Sequence, residues 1–226
     1  YNNMEDLISH APAGVVFDVA VPGKAMISVL QQLPGSSAVL LQKPMGNNYP
    51  EAKQILQLTR EKKMIAAANF QLRYAPYIRE ARRLVQEEAF GTLCDIEINV
   101  NVFTPWHLWK FLYDLPRVEI LYHSIHYIDL VRSFLGNPQS VYAKTTKHPS
   151  QMELASVRSN IIMDYGDMVR ANILTNHNHR FGHEQSYIKF EGTKGAVKVQ
   201  MGLLMNYPEG LPDKLEYVFL EEGKAP

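Results

Sequence analysis

Tyr122, His126 and Asp129 recur at i, i+4 and i+7 within Ile120 to Gly136 (ILYHSIHYIDLVRSFLG). On a helix that spacing puts a phenol, an imidazole and a carboxylate along one stripe. Histidine titrates near neutrality, so His126 can accept and return a proton, with Tyr122 one turn away as a hydrogen-bonding neighbour. The same spacing also suits two half-buried packing groups. His123 and His126 stand at i, i+3, which a metal can use, but no HExxH pattern or third ligand accompanies them, so no metal is expected there. Lys43 follows the apolar run Ala38 to Leu41 directly after Gln42, and Pro44 stiffens the exit. If that run is a strand of a parallel sheet, its C-terminal end lines a ligand crevice. A solvated lysine after a strand is the plainer reading. Pro105 to Trp109 (PWHLW) offers two indoles, Trp106 and Trp109, which either wall a ligand pocket or pack between domains. Asn176 to His183 (NHNHRFGH) carries His177, His179 and His183 and reads as a polar loop rather than a metal site, with His179 or Arg180 as ligand-facing alternatives.

These groups need elements to hold them. Val15 to Ala20, Ala38 to Leu41 and Met64 to Ala68 are short apolar runs rich in strand formers. Between them lie helical patterns, Lys24 to Leu33 and a segment opening at Pro50, with Lys62-Lys63 suited to its end. Strand alternating with helix predicts a parallel sheet with crossover helices. Pro76 opens another helix, with Ile78, Ala81, Leu84 and Val85 as its apolar stripe and Gly91 as its C-terminal cap. Ile96, Ile98, Val100 and Val102 then alternate with Asp95, Glu97, Asn99 and Asn101, the pattern of a strand with one wet face. Leu121, Ile125, Ile128 and Leu135 predict the buried stripe of the helix that carries His126. Ser140 to Thr146, Val157 to Tyr165 and Met168 to Thr175 read as strands, the last two joined by a tight turn at Gly166-Asp167. Tyr187 to Glu191 and Ala196 to Gln200 flank a turn at Gly192 to Gly195. The fold class expected is therefore α/β plus α+β: a partial Rossmann-type parallel sheet in residues 1–72, then a mostly antiparallel open-faced sheet in residues 73–226.

Composition limits the function. The 226 residues are 46% hydrophobic and 20% charged, with 23 basic and 23 acidic side chains. Zero net charge offers no field for nucleic acid or an anionic membrane. A single cysteine, Cys94, excludes an internal disulfide framework and fits a cytoplasmic setting. No apolar run reaches the roughly 20 residues of a membrane span.

Four stretches in order resemble the Gfo/Idh/MocA oxidoreductases. Val15 to Pro22 (VVFDVAVP) is similar to that family's strand ending in Thr-Pro. Ala38 to Pro44 (AVLLQKP) resembles its Glu-Lys-Pro strand end, with Gln42 in place of Glu. Ala67 to Pro76 (AANFQLRYAP) resembles its Arg-Phe-x-Pro stretch, with Tyr74 in place of Phe. Leu121 to Leu130 (LYHSIHYIDL) resembles its Asp-x-Gly-x-His-x-x-Asp helix, with Tyr122 for Asp and Ser124 for Gly. The resemblance implies oxidation of a secondary hydroxyl on a sugar, cyclitol or sugar acid with NAD or NADP, or the reverse reduction. It assigns Lys43 to the nicotinamide ribose and the substrate hydroxyl, and His126 to general acid–base work with Tyr122 beside it. Val21, Pro22, Gln42, Pro44 and Asn69 are assigned to the cofactor crevice and Arg73 to the substrate; apart from the resemblance, His123, Trp106, Trp109 and His179 are candidates for facing the substrate. Lys43 and His126 are expected to converge on one cleft. Tyrosine is not a base at neutral pH, so the replacement bears on the proton relay and leaves open a non-catalytic relative that senses a sugar or nucleotide. No G-x-G-x-x-G occurs, and that loop would precede Tyr1. The end at Ala225-Pro226 is expected to stop short of the family's last elements. The open sheet face is the expected surface of a homodimer or homotetramer.

Overall fold

The computed structural model describes residues 1–220, so the expectation for Ala225-Pro226 lies outside the described residues. The chain divides into two compact units, Tyr1–Phe70 and Gln71–Pro226. The first contains α1 (Met4–Ser9), β1 (Val16–Val19), α2 (Gly23–Gln32), β2 (Ala38–Leu41), α3 (Tyr49–Glu61) and β3 (Ile65–Ala68). The three strands are parallel in the order β1-β2-β3, with Val19, Leu41 and Ala68 in register at their C-terminal ends. Met26 and Leu30 of α2, Leu33 just after it and Ile55 of α3 pack on Val19, Val39 and Leu41. The helices are firmly ended. Asn48 caps α3 by accepting the Glu51 N–H at 2.9 Å, and the Glu51 carboxylate reaches back to the Asn47 N–H at 2.7 Å. Lys62, expected to serve the end of its own helix, instead donates to the Leu30, Gln31 and Leu33 carbonyls at the end of α2. Its long stem reaches the carbonyl cluster of the neighbouring helix, where a cation is favoured.

The second unit contains α4 (Pro76–Gln86), β4 (Leu93–Asn101), α5 (Ile125–Leu135), β5 (Ser140–Thr146), β6 (Arg158–Asp164), β7 (Arg170–Asn176), β8 (Gln185–Gly192), β9 (Gly195–Gln200) and β10 (Lys214–Phe219). The sheet order is β10-β9-β8-β4-β7-β6-β5. Only β4 with β7 is a parallel pair; every other pair is antiparallel. The two expected sheet types are thus both present. Ile96, Ile98 and Val100 of β4 are fully buried with Ile161, Ile173, Ile188 and Val199 against Ile78, Ala81 and Leu84 of α4 and Tyr127, Leu130 and Val131 of α5. The opposite face carries Asp95, Glu97, Arg170 and Lys189, with Tyr142 and Ile162 paired across β5 and β6 at 68% and 51% exposure.

Several local expectations change. Gly91 does not cap α4; the helix ends at Gln86 and Glu88 takes the left-handed backbone. Gly91, itself at φ 76°, lies where a Cβ would collide with Thr193, so close approach requires it. The β6–β7 connection is wider than a two-residue turn. Asp164 accepts the Gly166 N–H at 2.9 Å and the Ser140 hydroxyl at 3.0 Å, ending the ladder early. The stripe of α5 is rotated: Tyr127, Leu130 and Val131 are buried, whereas Leu121, Ile125, Ile128 and Leu135 are half-buried. Ahead of α5 lies a five-residue π-turn, Ile120–Ser124, in which the Ile125 N–H reaches the Ile120 carbonyl. The extra residue in that turn offsets Leu121 from the positions on α5, where Ile128 and Leu135 still pack against the edge of the core.

Ile98 is central, fully buried and flanked by strands on both sides. Ile98→Ala will lower unfolding free energy by about 2–5 kcal/mol, while Ile162→Thr on the open face will stay within about 0.5 kcal/mol. Urea midpoints of the two variants check this.

Candidate active site residues

In the first unit the strand ends carry the polar groups. Gln42 follows β2, Asn69 follows β3 and Asp18 lies near the end of β1. Gln42 Nε2 donates to Asp18 Oδ1 at 2.8 Å, and Asn69 Nδ2 donates to Gln42 Oε1 at 3.0 Å, a carboxamide chain across all three strands. Lys43 comes next, and the Lys43–Pro44 peptide is cis. Burial pushes the Lys43 ammonium below the ordinary lysine pKa. Val21 and Pro22 form the exit of β1, with Pro22 as the residue before α2. A cation and two fixed carboxamides at parallel strand ends can hold a ligand that offers hydroxyl or amide groups.

In the second unit His126 lines a cavity of about 280 Å³ together with Gln71, Tyr77, Met201, Leu204 and Asp213. Burial, then the Asp213 charge, pushes the Tyr77 phenol up to about 12. Asp213 also accepts the Gly202 N–H at 2.7 Å, which pins the 202–204 segment. The cavity therefore presents an imidazole, a neutral phenol and a carboxylate on mostly apolar walls. It can hold an amphipathic, hydroxylated molecule. Tyr77 and Asp213 escaped the sequence reading because 136 positions separate them and neither belongs to a motif.

The other assigned residues have definite surroundings. Arg73 forks onto Asp129 through Nε and Nη2, so its guanidinium is engaged by the helix that carries His126. Tyr122 is buried in an apolar cluster with Trp106, Leu112, Val118, Leu154 and Val157, and Trp109 packs against that cluster. His123 stacks on His177, ring centroids 4.2 Å apart, and Trp106 meets the His123 ring edge-on at 5.0 Å. His179 folds onto its own loop, against the Gly182 carbonyl and the Phe181 ring. Asn176 to His183 is not simply a polar loop. Its first residues continue the ladder from β7, through Thr104 N–H to the His177 carbonyl at 3.0 Å and His179 N–H to the Val102 carbonyl at 3.1 Å, and His177 and Asn178 are buried. Among the described residues no group of three His, Cys, Asp or Glu is arranged to hold a metal ion, and no helix is long and apolar enough to cross a membrane.

Glu119 was not singled out in the sequence. It is fully buried. Its carboxylate accepts the Ser124 hydroxyl at 2.7 Å, the Thr175 hydroxyl at 2.9 Å and the Ser159 hydroxyl, and His177 Nε2 lies 3.4 Å away. Burial works to raise its pKa, yet His177 and the hydroxyls of Ser159 and Ser124 outweigh it and hold the value below the ordinary one. Between those two values the native state binds fewer protons than the unfolded chain. Its stabilising contribution is complete above the unfolded value and disappears as pH falls through the folded one. Glu119→Gln will therefore flatten the acid limb of stability, read as urea midpoints from about pH 6 down to about pH 3. An acid limb as steep as in the wild type would contradict the buried anion.

Residues 78–198 match the family model described as the GFO/IDH/MocA C-terminal domain. A 2,7-anhydro-N-acetylneuraminate hydratase of Mediterraneibacter gnavus is 23% identical over 175 residues, 72% of this chain and 45% of that protein. An uncharacterized oxidoreductase of Schizosaccharomyces pombe is 24% identical over 64% of this chain and 40% of that protein. The chain thus spans less than half the length of these curated relatives. The fold is that of the WlbA dehydrogenase from Bordetella pertussis, solved with NADH and UDP-GlcNAcA, at TM-score 0.76 and 20% identity over 98% of this chain and 63% of that one. Since the family model takes in over half of the chain, and covers β4 to β9 with the helix bearing His126, the chain belongs to the GFO/IDH/MocA family of oxidoreductases.

Proposed function

We propose that this chain is the substrate-handling part of a nicotinamide-dependent dehydrogenase that oxidises a secondary hydroxyl of a sugar, cyclitol or sugar acid, or runs the reverse reduction. The observation that carries the reading is His126 lining a small, mostly apolar cavity within a GFO/IDH/MocA C-terminal domain. NADH and a sugar nucleotide in the WlbA structure support the cofactor and substrate classes. The first unit then serves as the C-terminal part of a dinucleotide-binding domain, and the second binds substrate and pairs with another copy through its open sheet face.

The residues divide the work. Gln42, Lys43 and Asn69, with Val21, Pro22 and Pro44 around them, hold the nicotinamide end, which supplies a hydride acceptor when bound. The Lys43 ammonium favours the alkoxide form of the substrate hydroxyl. His126 takes the hydroxyl proton and returns it in the reverse direction. Tyr77 and Asp213 orient the rest of the substrate. Tyr122, buried in the acid's place, favours the second reading, a relative that binds a sugar without turning it over.

Full-length protein with NAD or NADP and a polyol panel separates the two. New reduced-nicotinamide absorbance supports the enzyme; binding without absorbance supports the sensor. Lys43→Ala and His126→Ala will each lower turnover by more than about a hundredfold. The double variant will lose less than the product of the single losses, because both groups serve one proton. Wild-type rates in either single variant would reject that residue's role.

A further inference from the structure

Glu119 and Ser124 are five residues apart and joined by a side-chain hydrogen bond. On an α-helix such residues point about 140° apart. On a π-turn, whose backbone bonds run from i to i+5, they stack. The bond therefore spans the wide turn Ile120–Ser124 and belongs to it. The turn is also fixed at its start, where the Glu119 N–H donates to Ser156 Oγ at 3.2 Å. Ser159 and Thr175 tie the same carboxylate to β6 and β7. Its fourth neighbour, His177, faces Thr104 Oγ1 through Nδ1 at 3.2 Å and is the plate on which His123 lies.

We infer that Glu119 is a positioning residue: its carboxylate holds the π-turn that aims His123 and His126, and it fixes the His177 ring beneath His123. Glu119 acts through Ser124 and His177 rather than on a ligand. Three hydroxyls and an imidazole converge on one buried carboxylate, an arrangement that filling space does not require. An apolar side chain fills space without constraining the ring beside it. The kinetic consequence rests on the dehydrogenase reading, because it takes His126 as the proton carrier; the structural consequence does not.

The test uses full-length protein labelled with 15N-histidine, with ring signals assigned through His123→Asn, His126→Asn and His177→Asn. In Glu119→Gln the ring signals of His177, His123 and His126 will all move while the far-ultraviolet circular dichroism stays that of the wild type. With an active polyol, kcat will fall by roughly tenfold to a hundredfold, the scale of a small misplacement, with KM little changed. Glu119→Asp, which keeps the charge, will recover part of it. Should Glu119→Gln fail to fold, Ser124→Ala removes only the hydroxyl that bonds across the turn and will move the His123 and His126 signals. Unchanged His123 and His126 signals in a folded Glu119→Gln or Ser124→Ala protein would overturn the inference. A wild type that turns over no polyol defeats the dehydrogenase reading alone, since the ring signals still decide the role of Glu119.

Discussion

A carboxylate cut off from water must be answered by donors, and that requirement organises the second unit. Stripping a charge of solvent costs several kcal/mol, recovered only when its lone pairs are well filled. Glu119 fills them with Ser124, Thr175 and Ser159, and His177 Nε2 lies 3.4 Å away. Those donors sit on β6, on β7, just after β7 and at the head of α5. Each has one position from which it can reach the carboxylate, so the helix is registered against the sheet by polar contacts as well as by apolar packing. Apolar packing alone tolerates small rotations of a helix; a set of directed hydrogen bonds does not.

The two units deliver their side chains by different routes. A parallel sheet brings successive strand ends to one edge, so Asp18, Gln42 and Asn69 link up without any loop architecture. The mixed sheet delivers nothing directly. It supports α4 and α5 on one face, and α5 presents His126 to a cavity closed by the distant 201–204 segment. Arg73 belongs to this support. Its fork onto Asp129 clamps the Gln71–Tyr74 turn to α5, and Arg82 adds bonds to Ser133 at 2.9 and 2.7 Å. Two arginines thus brace the helix whose first turn is irregular.

Short-range patterns were legible and long-range polar ones were not. The apolar runs marked β1, β2 and β3, and alternation across Asp95 to Val102 marked β4, because burial of one face writes itself into a period of two. The order of motifs pointed to Lys43 and His126. Counting at 3.6 residues per turn carried the α5 stripe back to Leu121, since a π-turn leaves no mark in hydrophobicity. Glu119 and Asp213 draw no reading, and His177 reads as part of a polar loop, because their partners are remote in sequence. β10 escaped notice because KLEYVF is an edge strand, and its Tyr217 and Val218 are exposed.

The two departures from the family's helix motif take on a common meaning in this geometry. Tyr122 and Ser124 flank His123 inside the π-turn. A glycine at 124 has no hydroxyl, so Glu119 would lose its contact across the turn. An aspartate at 122 would place a second carboxylate in the apolar cluster of Trp106, Leu112 and Leu154, where nothing among the cluster's aliphatic members could answer its charge. Tyrosine fills that cluster with an aromatic ring instead. Tyr122 thus adds its ring to that cluster, while a buried acid three residues earlier organises the turn. The turn ahead of His126 thus takes its charge from Glu119 and its contact across the backbone from Ser124.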